Sequence, residues 1–444
     1  MNKSINILHK LCKETSAKAY YTGEFVYSWL TKNHSASIDV VLVECSLNLV
    51  IKYLKQYGYI RRNKNVRNNI MFCVDGEYIN ISVCSTLKED ADNKDFTIDA
   101  LYIPIDNISK KHLIDFYDGI KDIKARRIRS ISGINDLDKM FQSIMLAAKL
   151  NYRLDDRLFT SIRSRNIEQD KIDTISPDIL RNTFISIVLC KKPSRYFKLL
   201  ETLSLLKYII PELNLCIGVR QNKEYHKHDV FTHSILACDN IEEPNLILRL
   251  AALMHDIGKL TTYNESNKSG KITFYSHEVA SAKIAKTILK RLGLDKDIIY
   301  EVAELVYLHM YNYEPEKWSD SAVNRFIKKA KITKKDINNL DTLPLFLVRR
   351  ADRLSSGHSR KDVSFRQSLF QERIKSLIAK SEAFTISDLA INGVDIMNTF
   401  KLKEGPTIGN ILRYLVSIVD VDRTLNTPST LIDKASEYLS KALE

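Results

Sequence analysis

The sequence predicts an α+β protein: a small mixed α/β head at the N-terminal side, followed by a long and nearly all-helical remainder. Three observations carry this reading. Up to about residue 105, apolar runs of strand length alternate with helical stretches. Beyond residue 135, Leu, Ile and Ala recur at helical spacing and β-branched runs are few. Pro177, Pro193, Pro211, Pro244, Pro315 and Pro344 punctuate that second region, where a fixed φ and a missing N–H suit helix starts and connections.

Taken in order, residues 38–43, 78–83 and 100–105 are the strand-length runs of the head, and residues 47–57 form a helical stretch between the first two. In the second half a short helix is expected over 230–238, beginning after Asp229. A loop or hairpin is expected at 267–270, just before Phe274-Tyr275-Ser276. No internal repeat or low-complexity segment interrupts the pattern.

Six side chains of metal-ligand type are spread through this helical part: His233, the adjacent pair His255-Asp256, His277, His309 and Asp352. The pair lies in Leu253-Met254-His255-Asp256-Ile257-Gly258-Lys259, at the end of an apolar helical run. His309 follows the apolar stretch 302–308 and Asp352 follows Val348-Arg349-Arg350-Ala351. Each is therefore expected on or near a helix, as a site inside a helical bundle requires. Imidazole nitrogens and carboxylates suit Mn, Fe, Co, Ni or Zn, and a carboxylate can bridge two ions that activate water and clamp a phosphate. A lone helical histidine is more often a core or surface residue, but the bland reading has to explain all six positions together. Gly258 is expected to end the helix or admit a phosphate, and Lys259 to meet an anion. His226, His228 and His358 have no place in this order and are read as substrate-contacting or surface residues.

The 444 residues suffice for two or more domains with a sizeable core. A formal net charge of +13 points to a polyanion such as RNA, with basic clusters at 121–129, 191–198 and 328–335. Any one cluster is by itself most simply a solvated helix face. Seven cysteines without a CxxC pair suit a reducing cytoplasm, and no apolar run reaches membrane-span length. No secretory signal is recognised at the start of the chain, and oligomeric state is left open.

The ligand order resembles the HD superfamily of metal-dependent phosphohydrolases. The string Tyr225-His226-Lys227-His228-Asp229-Val230-Phe231-Thr232-His233 resembles the start of the HD domain in bacterial tRNA nucleotidyltransferases, the CCA-adding and poly(A) polymerase family. Lys94-Asp95-Phe96-Thr97-Ile98-Asp99-Ala100-Leu101 resembles that family's Arg-Arg-Asp-Phe-Thr-Ile-Asn-Ala-Leu, and Asp115-Phe116-Tyr117-Asp118-Gly119 with Asp122 and Ile128-Arg129 its close of the catalytic head. Asn392-Gly393-Val394-Asp395 and Gly405-Pro406-Thr407-Ile408-Gly409 resemble its body and tail. The resemblance runs from about residue 17 to about 435. It implies a nucleotidyltransferase-like head over 1–105, a helical neck over 106–222, an HD domain over 223–356 and a helical body and tail over 357–444.

The head departs from the family pattern. The resemblance implies two carboxylates one residue apart on a strand, facing one way and holding Mg, with a third nearby. Here Asp39 is kept, Val41 stands at the partner position and Asn80 near the third. The phosphate-cradling Gly-Gly-x-Val-Arg-Asp becomes Gly23-Glu24-Phe25-Val26-Tyr27-Ser28, and the nucleotide-choosing Glu-Asp-x-x-Arg becomes Asn135-Asp136-Leu137-Asp138-Lys139, with Gln142 and Met145 replacing two arginines. A degenerate head site retaining Gly23, Asp39, Asp95, Asp136 and Lys139 is therefore expected.

The expectation that follows is a tRNA-associated protein with an idle head and an HD-type hydrolase acting on a phosphomonoester or a 2′,3′-cyclic phosphodiester nucleotide. His255, Asp256 and Lys259 would be catalytic, with His233, His255, Asp256, His277, His309 and Asp352 holding Mn, Ni, Co, Fe or Mg. Two alternatives stand beside it. One is a working CCA- or poly(A)-adding enzyme with relocated carboxylates, Glu44 and Asp75 being the nearest candidates, and Mg in the head. The other is a non-catalytic RNA-binding or nucleotide-sensing protein.

Overall fold

The structure, a computed structural model, describes residues 3–441 apart from 33–36, 63–67, 135, 166–174, 223–225, 267–271, 311–317 and 382–384. Asn135, Tyr225, Pro315 and the loop expected at 267–270 lie outside the described residues. Two compact units are present: residues 1–310 with 347–360, and residues 311–346 with 361–444.

The first unit opens with the head. Its elements are α1 (Lys3–Glu14), β1 (Lys18–Thr22), α2 (Gly23–Thr31), β2 (Asp39–Val43), α3 (Leu47–Leu54), β3 (Tyr59–Arg62), β4 (Asn69–Val74), β5 (Glu77–Cys84), α4 (Leu87–Asp92), β6 (Leu101–Pro104) and β7 (Ile114–Asp115). The seven strands form one sheet in the order β3-β4-β5-β2-β1-β6-β7. Only β2 and β5 are parallel among the pairs of this sheet, so the sheet is mixed as the sequence predicts.

Strand alternation sorts the side chains of β5. Ile79, Ile81 and Val83 enter a core with Leu8 and Leu11 of α1 and Val50 and Leu54 of α3, whereas Tyr78, Asn80 and Ser82 face the other way. On that second face Val41, Val43 and Tyr102 pack with Ala91 of α4. The register sets Asp39 opposite Asn80 and Val41 opposite Ser82.

Elements α5 (Gly119–Lys124) and β8 (Arg127–Ile128) lead out of the head. Here Lys121, Lys124 and Arg126 of the basic cluster at 121–129 are exposed, while Arg127 and Arg129 turn inward to a buried carboxylate. Asp122, fully buried, accepts hydrogen bonds from Thr97 Oγ1 at 2.7 Å, from Arg129 Nε at 2.8 Å and from Arg127 Nε. Backbone bonds from Thr97 N to Arg129 O and from Ile131 N to Asp95 O complete the junction.

The helical part follows: α6 (Leu137–Leu150), β9 (Arg153–Leu154), α7 (Asp156–Arg163), α8 (Pro177–Leu189), α9 (Pro193–Thr202), α10 (Leu206–Ile209), α11 (Pro211–Leu215), α12 (Val230–Asp239), α13 (Leu246–Met254), α14 (Lys259–Thr262), the short hairpin strands β10 (Asn264–Glu265) and β11 (Ile272–Thr273), α15 (His277–Arg291) and α16 (Lys296–Leu308). Pro177, Pro193 and Pro211 each occupy the first helical turn. Asp136, Asp155, Asp229 and Asn245 cap the helices that follow them through side-chain oxygens. One continuous core, with Phe141, Phe184, Phe197, Phe231 and Leu253, joins these helices to Phe96 and Ile98 of the head. Buried Arg249 donates to the carbonyls of Val188, Cys190 and Ile241, satisfying its charge with backbone dipoles.

The second unit contains α17 (Asp320–Lys329), most of α19 (Arg360–Ser381), α20 (Gly393–Phe400), α21 (Pro406–Val421) and α22 (Pro428–Lys441), while α18 (Pro344–Ser355) lies mainly in the first. Trp318, Phe326, Phe346 and Phe370 form one aromatic cluster, and Ile396, Ile411, Leu415 and Leu431 another core. Asn392 and Asp395 form a capping box on α20 and Pro406 opens α21, so those family-like segments serve helix termini.

Replacing Asp122 by Ala leaves Arg127 and Arg129 facing a buried hole. A loss of about 2–4 kcal/mol is expected, read from the urea midpoint at unchanged slope, with both arginines partly rehydrated.

Candidate active-site pocket and metal cluster

The structure gathers two groups of chemistry-bearing residues in the first unit. One is a pocket of about 390 Å³ between the head sheet and the middle and C-terminal half of α6. Asp39, at the first position of β2, sits on its floor. Asn80 Nδ2 donates to Asp39 Oδ1 at 2.8 Å, and Ser37 Oγ lies 3.3 Å from Asp39 Oδ2 and 3.4 Å from Glu24 Oε2. Gly23 has φ +59, and a Cβ there would stand 3.2 Å from Asp39 Oδ2, so glycine is needed both for backbone and for approach.

Val41 is buried in the apolar core under α4, and Asn80 faces Asp39. Neither relocated candidate reaches the pocket. Glu44 leaves β2 with φ 61 and pairs with Lys18 at 2.5 Å, and Asp75 sits at the β4–β5 turn paired with Lys3.

The pocket gains carboxylates from elsewhere. Glu24 comes from the first turn of α2, and Asp95 and Asp99 from the segment after α4. Burial pushes Asp99 up to about 7, opposed by Lys94 and reinforced by Asp39, Asp95 and Glu24. Lys94 and Lys149 line the same cavity, and Gln142 and Met145 stand on its wall as the sequence suggests. Lys139 is committed to Asp95 at 2.6 Å and Asp136 to the N-terminus of α6, so neither projects a free group at a nucleotide.

The second group is the histidine–aspartate cluster. His233 lies on α12, His255 at the C-terminal end of α13, His277 at the first position of α15, His309 at the end of α16 and Asp352 on α18. All six of the expected side chains are buried and converge. Asp256 is central. Its Oδ2 lies 3.3 Å from His233 Nε2 and 3.2 Å from His255 Nε2, and its Oδ1 lies 3.2 Å from His277 Nε2 and 3.8 Å from His309 Nε2. Asp352 Oδ1 lies 3.1 Å from His233 Nε2 and 3.5 Å from His255 Nε2.

The backbone sets the histidine tautomers. Nδ1 of His255, His277 and His309 donates to the carbonyls of Ala252, Phe274 and Val306 at 2.7, 2.8 and 2.6 Å. That leaves each Nε2 as a lone-pair donor aimed into the cluster, and the buried Nε2 atoms of His277 and His309 have no hydrogen-bond partner among the described residues. Such orphaned nitrogens beside two carboxylates fit a divalent cation. His233, His255 and Asp256 form one compact triple and Asp256, His277 and His309 a second. Burial holds His233 and His309 below the ordinary histidine range. Against the cost of burial, Asp256 and Asp352 push His255 up to about 10. His255 and Lys259 hold Asp256, and Arg349 holds Asp352, well below the carboxylate range.

Two expectations about this region change. Gly258 does not leave room for a phosphate: a Cβ there would meet His277 O and Ser281 N at 2.5 and 2.4 Å, so it lets α15 pack against the His-Asp segment. Lys259 donates to Asp256 Oδ2 at 2.7 Å and to Gln221 Oε1 at 2.6 Å. His226 joins the site, its ring 4.9 Å from that of His233. Gln221, Ser355 and Arg349 escaped the sequence reading because they carry no spacing signal, and only their contacts with Lys259, His233 and Asp352 reveal them.

Residues 29–129 match the Poly A polymerase head domain and residues 200–357 match the HD domain. The A-adding tRNA nucleotidyltransferase of Deinococcus radiodurans is 26% identical over 339 residues, covering 74% of each chain. The CC-adding tRNA nucleotidyltransferase of Thermus thermophilus is 25% identical over 341 residues, covering 74% of this chain and 73% of the relative. The fold is shared with the Bacillus stearothermophilus CCA-adding enzyme solved in complex with CTP, at 15% identity and a TM-score of 0.56, over 100% of this chain and 99% of that one.

These relatives are transferases, and they overturn the expectation of an HD-type hydrolase with an idle head. The physical reason is in the pocket: counting carboxylates along β2 and β5 misses those that α2 and the segment after α4 bring to Asp39. The chain thus carries a match to a Poly A polymerase head domain and a match to an HD domain, and it is similar to tRNA nucleotidyltransferases over 74% of its length.

Proposed function

We propose that the chain transfers nucleotides from a nucleoside triphosphate to the 3′ end of a tRNA, in the head pocket. The observation that carries this is the convergence of Asp39, Glu24, Asp95 and Asp99 on one cavity that also holds Lys94 and Lys149. Phosphoryl transfer needs little covalent help from protein: it needs cations beside the phosphates and a primer hydroxyl held in line. Asp39 with Glu24 and Asp99, which line the same pocket, would hold Mg, which neutralises charge on the triphosphate when bound. Lys149, with Lys94 shared between the pocket and its ion pair to Asp90 at 3.2 Å, meets the remaining phosphate charge, and Gly23 keeps the backbone close to Asp39. Relatives named for A-adding and CC-adding support AMP and CMP as the units to test.

We infer that the histidine–aspartate cluster holds a divalent metal through Nε2 of His233, His255, His277 and His309 and the carboxylates of Asp256 and Asp352. Imidazole-rich ligation favours Mn, Fe, Co or Ni over Mg. Asp256, common to both triples, is the residue whose loss disrupts each.

Incorporation of labelled AMP, CMP or both into tRNA lacking its 3′ end is expected from the wild-type chain with Mg. Asp39→Ala should lower it by about two orders of magnitude or more at unchanged tRNA binding; no incorporation by wild-type protein that binds the tRNA overturns the assignment. Metal analysis by inductively coupled plasma mass spectrometry should find a bound divalent metal in the wild type and its loss in Asp256→Ala. Equal metal content in the two proteins removes the cluster from that role.

A further inference from the structure

The pocket is only one end of a longer surface. The sheet face that carries Asp39 continues outward across β5, β4 and β3, and α4 covers only the part of it around Val41 and Val43. Register fixes what stands there. One row runs Asp39, Asn80, Met71 and Arg61; the next runs Tyr78, Cys73 and Tyr59. Rows two residues apart on one face are ~7 Å apart along the strands, and Tyr59 and Tyr78, two strands apart, are ~10 Å apart across them.

Both tyrosines are open to solvent, Tyr59 at 68% and Tyr78 at 60% exposure, although a strand face usually buries its aromatic rings. The alternate residues Ile79, Ile81, Ile70 and Phe72 supply the core on the other side, so the tyrosines are not needed to complete it. Charge completes the picture. Arg61 is exposed at the outer end of the first row and makes no ion pair among the described residues. Of the carboxylates nearby, Asp75 in the adjoining turn pairs with Lys3 Nζ, and Glu77 at the start of β5 accepts from the Lys3 backbone N–H. The surface that leaves Asp39 thus presents two flat rings and a guanidinium, with the neighbouring Asp75 paired to Lys3.

We propose that this open face, with Tyr59, Tyr78 and Arg61, is a stacking platform for the single-stranded 3′ end of an RNA on its way into the head pocket. Exposed rings on a sheet beside a cation are how proteins hold unpaired nucleotides without reading their sequence: the bases stack on the rings and the cation meets the phosphate. Continuity with Asp39 through one row of paired residues sets the direction of the strand. A duplex presents no base faces to such a surface, so the platform selects the unpaired end. The assignment rests on the proposed nucleotide transfer for its direction, but its test is one of binding alone.

The probes are a fluorescein-labelled RNA hairpin with a four-nucleotide single-stranded 3′ end and the same hairpin with a blunt end, titrated with the full-length chain in the absence of nucleoside triphosphate. The Tyr59→Ala/Tyr78→Ala double variant should lose roughly tenfold or more in affinity for the overhanging hairpin, with affinity for the blunt hairpin unchanged. The Tyr59→Phe/Tyr78→Phe variant should restore binding, because stacking needs the ring and not the hydroxyl. Equal affinity of wild type and the Ala variant for the overhanging hairpin overturns the platform, as does an equal loss for both hairpins. Both positions are exposed, and a circular dichroism melt coincident with wild type establishes that the Ala variant is folded. Overhang-selective binding without nucleotide incorporation would leave the platform standing while removing the proposed transfer, so the two failures are distinguishable.

Discussion

The buried carboxylate of Asp122 is the tie on which the head pocket depends. It accepts from Thr97, Arg127 and Arg129, and so fastens the segment after α4 to the chain that leaves the head. Asp95 and Asp99 flank Thr97 on that segment, which places two of the pocket's carboxylates under the control of a residue that never enters the pocket. Gly119 belongs to the same junction, since a Cβ there would lie 2.4 Å from Thr97 O. A buried ion pair is weak evidence for net stability, but it is strong geometric control, because leaving either partner unpaired is expensive.

The two candidate sites solve the problem of concentrated charge differently. In the head, carboxylates arrive from a strand, a helix start and an irregular segment, and face an open cavity beside two lysines. Their mutual repulsion is visible in Asp99, whose proton is held more tightly than usual by burial and by its acidic neighbours. In the helical part, Asp256 and Asp352 are enclosed by imidazoles, Lys259 and Arg349, and the negative charge is compensated within the cluster. The first suits exchange of a substrate-borne metal; the second suits a resident one.

The family-like segments divide along the same line. Asn392, Asp395 and Pro406 shape helix ends in the second unit, and Asp115 accepts from the backbone N–H of Tyr117, Gly119 and Ile120 in the turn that precedes α5. Matching motifs there reports fold. Motif loss at Val41, Asn80 and Tyr27 falls in or beside the head pocket, where Glu24, Asp95 and Asp99 join Asp39 and no second carboxylate stands on β2.

The sequence by itself determined what short-range periodicity can encode. Alternation located β2, β5 and β6, and helical spacing put His233, His255, His277, His309 and Asp352 on or beside helices. Those positions were legible as a set, through a ligand order that resembles the HD superfamily. Tertiary structure alone decided which groups meet. Nothing local in Gly23-Glu24 or in Asp95-Phe96-Thr97-Ile98-Asp99 says that their carboxylates share a cavity with Asp39, because that proximity follows from sheet order and from the tie at Asp122. The same holds for Gln221 on Lys259 and for Gly258 against α15: each is a contact between segments distant in sequence, set by packing and unmarked by any period in the chain.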